Sequence, residues 1–270
     1  AAAGINRFSI GAQALDDTAL KALGRKHDAA ASLGAVEAAA ATGARVSLDL
    51  IYAREGQNVE AWRDELKRAL GLPIEHASLY QLTIEAGTAF ERRVSRGELA
   101  PPADEAAASL YEATQEICEA AGFPAYEISN HAHTEAARAQ HNLIYWRSGD
   151  WLGVGPGAHG RVTHGDKRCA LEAHHRPNDY IEAVNKHGVG WASKGELTAE
   201  ERADEMLLMG IRIGEGVDIA RLQALRGRPL NHGVRRWLVG RGLIAPNETR
   251  IQLTPRGRVL TNRIVSELLS

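Results

Sequence analysis

Apolar and polar positions alternate in blocks along the first third of the chain, with short apolar runs separated by longer amphipathic segments. Short runs bounded by turn residues predict strands, and apolar residues recurring every three or four positions predict helices. Strands and helices in regular alternation are typical of parallel α/β architecture. The pattern predicts strands at 7–12, 45–52 and 76–83 and helices at 18–23, 28–42 and 59–70, with Asp28 as an N-cap and Gly43 as a stop.

The middle of the chain begins at Pro101-Pro102 and continues as a helix predicted at 104–121. Asp104 is expected to cap this helix, because its carboxylate can accept hydrogen bonds from the free N–H groups of the first turn. Gly122-Phe123-Pro124 ends the helix, and a strand is predicted around Tyr126.

The last segment of the chain shows helical patterns followed by a short hairpin. Thr198-Ala199-Glu200-Glu201 has the spacing of a capping box, which predicts a helix start. Helices followed by a small hairpin resemble a winged helix, a fold in which a basic helix reads DNA. Arg235, Arg236 and Arg241 invite that interpretation, but an isolated arginine pair on a helix is usually a solvated face, so we expect no nucleic-acid partner.

Composition sets outer limits on the function. The chain has 270 residues, a formal net charge of -2 and a pI near 6.6, so it offers phosphate no general attraction. Its length can bury a sizeable core in one large domain or in a large and a small one. No run approaches the roughly 20 apolar residues of a membrane span. Two cysteines fit a reducing compartment, and we expect a cytoplasmic protein.

The segment His141-Asn142-Leu143-Ile144-Tyr145-Trp146 concentrates an imidazole, an amide, a phenol and an indole. Imidazole ligates iron and passes protons at neutral pH, and flat aromatic groups pack against flat apolar ligands. A glycine-rich run follows, which lets backbone approach a ligand closely, and it contains His159. The alternative interpretation is structural: Tyr145 and Trp146 are core aromatics at a strand end, and His141 is a hydrogen-bonded histidine that ties two strands together.

These motifs resemble the signature order of the HemW-type heme chaperones, relatives of oxygen-independent coproporphyrinogen III oxidase in the radical S-adenosylmethionine superfamily. The resemblance extends over nearly the whole chain, and several independent motifs in the right order make it specific. Its segments are residues 4–13, 47–52 and 76–85, similar to the family's fourth, fifth and sixth barrel strands, and then residues 126–130, 141–146 and 153–159.

The resemblance implies an α/β fold with three regions. Residues 1–100 are the C-terminal portion of a partial parallel (β/α) barrel of radical S-adenosylmethionine type. Residues 101–196 form an α+β region with the His-Asn-x-x-Tyr-Trp motif, and residues 197–270 form a C-terminal winged-helix-like domain.

A cluster-binding motif of the family does not occur in this sequence. Family members begin with three cysteines spaced C-x3-C-x2-C that hold a 4Fe-4S cluster, whereas this chain starts at Ala1 and has only Cys118 and Cys169. Two thiolates so far apart in sequence cannot supply the usual three cluster ligands. We expect about 100 N-terminal residues to be missing, since three strand–helix units of about 30 residues are absent. The resemblance therefore implies the cluster and S-adenosylmethionine as cofactors of the full-length family member only.

Three residues of the barrel region match positions that contact S-adenosylmethionine in the relatives: Gln13, Arg25 and Asp49. Polar groups at the C-terminal mouth of a barrel can hold ribose hydroxyls and a carboxylate. Without the resemblance, Arg25 would be a surface arginine and Asp49 a helix-capping or loop residue. Asp49 lies in an otherwise apolar strand, where a bare carboxylate is costly, so it is expected to have a partner. The loop at 53–57 lacks the family's usual proline, which leaves it freer.

The resemblance also implies a heme site. We predict that His141 is its principal residue and ligates the heme iron, that Tyr145 and Trp146 shape the pocket, and that His159 is the next candidate. Many members have a cysteine two residues before the motif histidine. Here that position is Ala139, which excludes a thiolate ligand at this point.

Three functions follow from these interpretations. The first is a heme-trafficking chaperone, the second is a radical enzyme that oxidatively decarboxylates coproporphyrinogen III, and the third is a degenerate relative without cofactor chemistry. The His-Asn-x-x-Tyr-Trp signature belongs to the chaperone branch and favours the first. We expect this chain alone to be catalytically inactive, with heme or another tetrapyrrole as its ligand and a heme-receiving protein as a partner. The sequence leaves open whether the protein associates with a membrane surface and whether it forms a dimer.

Overall fold

The chain forms two compact units in a computed structural model that describes residues 4–270. The first unit extends to Arg138, and the second covers Ala139–Ser270. Residues 1–3, the first residues of the predicted barrel region, lie outside the described residues. No helix in the described range 4–270 is long and apolar enough to cross a membrane.

The first unit alternates strands and helices in the predicted order. Its elements are β1 (Arg7–Gln13), α1 (Asp17–Ala22), α2 (Ala29–Ala41), β2 (Arg45–Tyr52), α3 (Val59–Leu70), β3 (His76–Gln81), α4 (Ala89–Ser95), α5 (Asp104–Ala120), β4 (Asn130–Ala132) and a short 3-10 turn (Glu135–Ala137). The predicted bounds of β2 and α3 match the structure, and the other predicted elements up to β3 differ from it by a residue or two at their ends.

Strands β1, β2 and β3 are adjacent and parallel, which confirms the parallel α/β prediction. Strand β4 adds to the other side of β3 in the antiparallel direction and was not predicted from the sequence. Within the described residues of the chain, β1 has no strand on its outer side. An open strand edge offers unpaired backbone groups to another chain, so association through β1 stays a prediction.

The core of the first unit lies between the sheet and its helices. Alternate residues of β2 are buried on this side: Val46, Leu48, Leu50 and Tyr52. The indole of Trp62 on α3 is fully buried and stacks on Tyr52, with ring centroids 5.3 Å apart. Its Nε1–H donates to Oγ1 of Thr114 on α5 at 2.8 Å, so one side chain joins a strand and two helices.

The predicted strand around Tyr126 is wrong, because the chain turns at this point. The carboxylate of Glu127 accepts hydrogen bonds from the backbone N–H groups of Ile128 at 2.8 Å and Ser129 at 2.9 Å, and from the side-chain amide of Asn130. A side chain that satisfies nearby backbone donors competes with strand pairing. The strand therefore begins only at Asn130.

The helix caps follow the predictions with one correction. Asp28 caps α2 by accepting from the N–H of Ala31 at 2.7 Å, and Gly43 beyond its end has φ +75°. Helix α5, however, begins with Asp104 itself, and its N-cap residue is Ala103, which provides no side-chain cap. Asp104 instead lies in the first turn, where a negative charge is favourable beside the positive end of the helix dipole.

The second unit combines an antiparallel sheet with a helical C-terminal region. Its elements are α6 (Gln140–Trp146), β5 (His159–His164), β6 (Lys167–Ala173), α7 (Pro177–His187), β7 (Trp191–Glu196), α8 (Ala199–Gly210), β8 (Val217–Asp218), α9 (Ile219–Arg226), α10 (His232–Gly240), β9 (Arg250–Ile251), α11 (Pro255–Arg258) and α12 (Thr261–Leu269). The sheet has the strand order β5-β6-β7. The predicted capping box is present at the start of α8, where Thr198 and Glu201 bond reciprocally.

The predicted helices and hairpin are present in the C-terminal region. Ile244 bridges Leu253 in the antiparallel direction, and β9 also pairs with β8. At this hairpin, Arg235 of α10 donates to the backbone carbonyl of Asn247 and lies 3.3 Å from a carboxylate oxygen of Glu248. One of the three arginines that suggested DNA binding is therefore already engaged by its own region.

Lysine is absent from the C-terminal region, where arginine carries the positive charge. From residue 197 onward the sequence has twelve arginines, eight acidic residues and no lysine. One of these arginines, Arg228, pairs with Glu200 at 3.0 Å, and another, Arg241, stacks on the ring of Trp237 at 5.2 Å.

Candidate functional site

Polar side chains occupy the face of the parallel sheet opposite the buried core. Asp49 of β2 lies between Ser9 of β1 and Ser78 of β3. The hydroxyl of Ser9 lies 3.2 and 3.1 Å from the two carboxylate oxygens of Asp49, and Ser78 also hydrogen-bonds to this carboxylate. The expectation that Asp49 has a partner is confirmed, and among the described residues the partners are hydroxyl groups, not cations.

Burial raises the pKa of the Asp49 carboxyl above its ordinary value, and the hydrogen bonds from Ser78 and Ser9 only partly offset this effect. A carboxylate without a cationic partner in a partly desolvated place lowers stability at neutral pH. Such a residue is more easily explained by a role in binding than by a role in folding.

The substitution Asp49→Asn is expected to raise the melting temperature of the protein at pH 7. A carboxyl group with a folded pKa above its unfolded value contributes stability at acidic pH and loses it as the pH rises through the folded pKa. The difference between Asp49→Asn and the unaltered protein should therefore shrink as the pH falls from 7 towards 4. Thermal melts across this range, with Asp166→Asn in an exposed turn as control, measure it. Parallel pH profiles of the Asp49 variant and the unaltered protein would contradict the assignment.

Gln13 ends β1 at the same mouth of the sheet. It pairs with Leu50, next to Asp49, after an irregularity in the strand register. Its backbone has φ +70°, which is unusual for a residue with a side chain. The side-chain amide lies over Gly11, where it would be 2.7 Å from a Cβ at that position. Gln13 and Asp49 thus share one end of the sheet, as predicted.

Arg25, the third residue predicted to contact S-adenosylmethionine, follows helix α1 and is not on the sheet. It is exposed in the turn that follows α1, where its backbone N–H donates to the carbonyl of Leu20 at 2.9 Å. Among the described residues, no hydrogen bond connects its guanidinium to Gln13 or Asp49.

The sequence interpretation missed a buried polar chain on the same sheet face. The hydroxyl of Ser47 lies 2.7 Å from Nδ1 of His76, whose Nε2 lies 2.9 Å from the hydroxyl of Tyr126. The guanidinium of Arg138 covers the Tyr126 ring at 5.7 Å. Polar residues at every second position of β2 and β3 were the available signal, because alternate residues share one face of a sheet.

The second candidate site is the aromatic segment of the second unit, which is a helix and not a strand end. Helix α6 places His141 and Tyr145 one turn apart, with ring centroids 6.0 Å apart and nearly perpendicular rings. The imidazole of His141 is exposed. The alternative in which His141 ties two strands together is therefore wrong.

Tyr145 connects this helix to the beginning of the glycine-rich run. Its ring meets the indole of Trp151 edge-on, with centroids 5.0 Å apart. Guanidinium groups of Arg161 and Arg168 lie 5.5 and 5.9 Å from the centre of the Trp151 ring. Cation–π contacts of this kind stabilise an aromatic side chain in one orientation.

Trp146 lies on a different side of α6 from His141, and its role in shaping the pocket stays a prediction. It follows His141 by five positions, which turns the two side chains about 140° apart on a helix of 3.6 residues per turn. Its indole N–H is buried and has no hydrogen-bond acceptor among the described residues. Its carbonyl packs beside Gly210 of α8. Trp151, and not Trp146, therefore extends the aromatic contact from His141 and Tyr145.

The segment from Trp151 to His159, here called the glycine loop, ends at the start of β5. A Cβ on Gly153 would overlap the backbone carbonyl of His159, so the loop folds back on itself at a position that only glycine allows. His159 is exposed and pairs across the sheet with Glu172, which in turn lies 2.8 Å from Nε2 of His175. Among the described residues, no ring contact connects His159 with His141.

The two cysteines lie in different units. Cys118 is buried in α5, where desolvation raises the pKa of its thiol to about 12. Cys169 is half-buried in β6. Over residues 4–270, no group of three or more His, Cys, Asp or Glu side chains is arranged to hold a metal ion.

Comparison with known families supports the sequence resemblance. Residues 197–260 match the HemN C-terminal domain. The protein named heme chaperone HemW of Bacillus subtilis is 33% identical over 99% of this chain and 70% of its own length. The corresponding protein of Mycobacterium tuberculosis strain H37Rv is 36% identical over 99% of this chain and 66% of its own length.

Eukaryotic proteins show a similar degree of identity. The zebrafish (Danio rerio) protein named radical S-adenosyl methionine domain-containing protein 1, mitochondrial, is 37% identical over 99% of this chain. This chain spans 62% of the zebrafish protein and 50% of its mouse counterpart.

Among solved structures, coproporphyrinogen III oxidase (HemN) from Escherichia coli, a radical SAM enzyme, has the same fold. It superposes with a TM-score of 0.79 over the whole of this chain and 65% of its own, at 20% sequence identity. The match confirms the predicted α/β fold of radical S-adenosylmethionine type.

Proposed function

Because the chain belongs to the HemW family of radical S-adenosylmethionine proteins, we propose that it binds heme as cargo and passes it to a receiving protein. The observation that carries this proposal is the exposed imidazole of His141 on α6, one helical turn from Tyr145. An exposed imidazole beside an aromatic ring gives heme an iron ligand and an apolar contact at the same place.

The proposed binding surface follows the geometry of α6. Ile144, three residues after His141, is 42% exposed on the same side of the helix, as neighbours at this spacing are. Tyr145 borders this side and rests on Trp151. In this proposal His141 ligates the iron, while Ile144 and Tyr145 contact the porphyrin. Trp146 lies on another side of the helix and supports α6 from behind, and His159 remains the second candidate for contact with the cargo.

Chaperone activity is preferred here over oxidation of coproporphyrinogen III. The His-Asn-x-x-Tyr-Trp segment is the sequence feature that separates the two, and the relatives above 30% identity include proteins named heme chaperone. The likeness to the Escherichia coli oxidase, at 20% identity, concerns the fold.

For the barrel region, we propose that Gln13, Asp49 and Arg25 are the positions that contact S-adenosylmethionine in a full-length member of the family. The polar sheet end suits the ligand, since amide and carboxylate groups hydrogen-bond to hydroxyl and amino groups. S-adenosylmethionine supplies a radical precursor when a reduced iron–sulfur cluster is present. Asp49 offers two acceptor oxygens already oriented by Ser9 and Ser78.

The 4Fe-4S cluster does not fit the residues of this chain. Its two cysteines lie in different units, and the burial that raises the pKa of Cys118 keeps that thiol protonated at neutral pH. Thiolates are the form that ligates such a cluster. We propose that these 270 residues by themselves do not bind the cluster.

We therefore expect the 270-residue chain to bind ferrous heme without holding a cluster. Anaerobic reconstitution with iron and sulfide should give no stoichiometric 4Fe-4S absorption or EPR signal. Titration of the same preparation with heme should give a saturable Soret change near one equivalent. The protein as purified, without reconstitution, is the control for the heme arm.

The two arms of this experiment test different statements. A stoichiometric cluster would overturn the proposal that these 270 residues do not bind one. A linear, unsaturable heme titration would remove the proposed function. The cytoplasmic location stays a prediction, because the eukaryotic relatives are named as mitochondrial.

A further inference from the structure

The glycine loop holds two large apolar side chains in solvent. Val154 is 87% exposed and Leu152 is 67% exposed. An exposed aliphatic side chain alone is ordinary, but two within three residues of one short loop bring enough apolar surface to one place to suggest a ligand or partner contact.

The backbone of this loop is fixed by several contacts. The N–H of Gly155 is bonded to the hydroxyl of Tyr180 at 3.2 Å, and the N–H of Gly157 donates to the carbonyl of His174 at 2.9 Å. Both glycines have positive φ, at +110° and +70°, which disfavours any other residue at these positions. The loop therefore presents Leu152 and Val154 outward from an anchored backbone.

The loop is continuous with the proposed heme surface. The ring of His141 contacts that of Tyr145, and Tyr145 contacts Trp151, which directly precedes Leu152. Trp151 also forms an antiparallel bridge with Arg161, which fixes the start of the loop on β5. Ring contacts thus lead from the predicted iron ligand to Trp151, and the chain continues from there into Leu152 and Val154.

Resting on the proposed function, we infer that Leu152 and Val154 form an apolar lip that contacts the bound tetrapyrrole and slows its release. A histidine on a surface helix leaves most of a porphyrin ring in water. Burial of aliphatic side chains against that ring lowers the free energy of the complex in proportion to the apolar area removed from water. The lip acts on the residence time of heme, while His141 provides the attachment point.

The test compares two pairs of serine substitutions in the full 270-residue chain. The double variant Leu152→Ser/Val154→Ser is expected to release heme to apomyoglobin about tenfold faster than the unaltered protein. The double variant Val259→Ser/Leu260→Ser is the control, since it changes the same two residue types at positions 44% and 45% exposed. It should release heme at the unaltered rate. Val154→Ser alone gives a second, milder variant of the most exposed position.

Each outcome decides a separate question. In one outcome, the Leu152→Ser/Val154→Ser variant releases heme at the unaltered rate while heme binding still depends on His141. That result overturns the lip and leaves the proposed function standing. If the unaltered protein shows no saturable heme binding, both the lip and the proposed function are overturned. Unaltered heme release together with lost binding to phosphatidylglycerol–phosphatidylcholine vesicles would assign the loop to a lipid surface and likewise overturn the lip.

Discussion

Replacing His141 with alanine is expected to weaken heme binding at least tenfold while leaving the fold intact. The imidazole is exposed, so its loss opens no cavity, and surface substitutions change stability by about 0.5 kcal/mol or less. The expected loss of affinity corresponds to about 1.4 kcal/mol of binding free energy. The Soret band should also move, because the iron loses its protein nitrogen ligand.

His159→Ala is the matched comparison, because it removes another exposed imidazole from the same unit. Heme affinity and Soret position, measured for both variants and the unaltered protein, separate the two histidines, and the melting temperature of each variant checks the fold. Unchanged heme binding by folded His141→Ala protein would remove the ligand assignment. A larger effect of His159→Ala would transfer it to the glycine loop.

Truncation of Trp62 to alanine is expected to lower the free energy of unfolding by about 3–5 kcal/mol, the range for a buried aromatic residue. The indole is fully buried, stacks on Tyr52 and donates to Thr114, so the change removes packing and a hydrogen bond together. Urea unfolding followed by circular dichroism measures the loss.

Two further variants separate the contributions to this effect. Trp62→Phe keeps an aromatic ring for Tyr52 but removes the N–H donor, and should cost about 1–2 kcal/mol. Trp237→Ala removes an indole that is 47% exposed and should have a much smaller effect. Equal losses for Trp62→Ala and Trp237→Ala would contradict the account of the core.

The sequence predicted the parallel sheet well because each strand there is specified locally. Strand β2 alternates a buried apolar set with a polar set, and Asp28 and Thr198 provide helix starts that depend on neighbouring residues only. Glu127 was harder, since its carboxylate closes a turn by reaching three successive residues. The spacing of apolar residues does not predict such a network of hydrogen bonds.

The candidate sites were predicted as a set of residues but not as an arrangement. The family resemblance supplied His141, Tyr145, Gln13 and Asp49, and the structure brings these together in two pairs. Trp146 was predicted to shape the pocket because it belongs to the same motif as His141, whereas the helical period directs the two side chains to different sides of α6. The buried chain through His76 required the register between β2 and β3, which is a property of the folded sheet.

The absence of lysine from the C-terminal region has a practical consequence for mapping this protein. Amine-reactive cross-linkers and labels modify lysine, and the last lysine of the chain is Lys194. The side chains from α8 onward are therefore silent to such reagents, and a fluorophore attached through lysine reports on the rest of the molecule alone. The substitution Arg236→Lys, at an exposed position of α10, would introduce a unique addressable amine into this region.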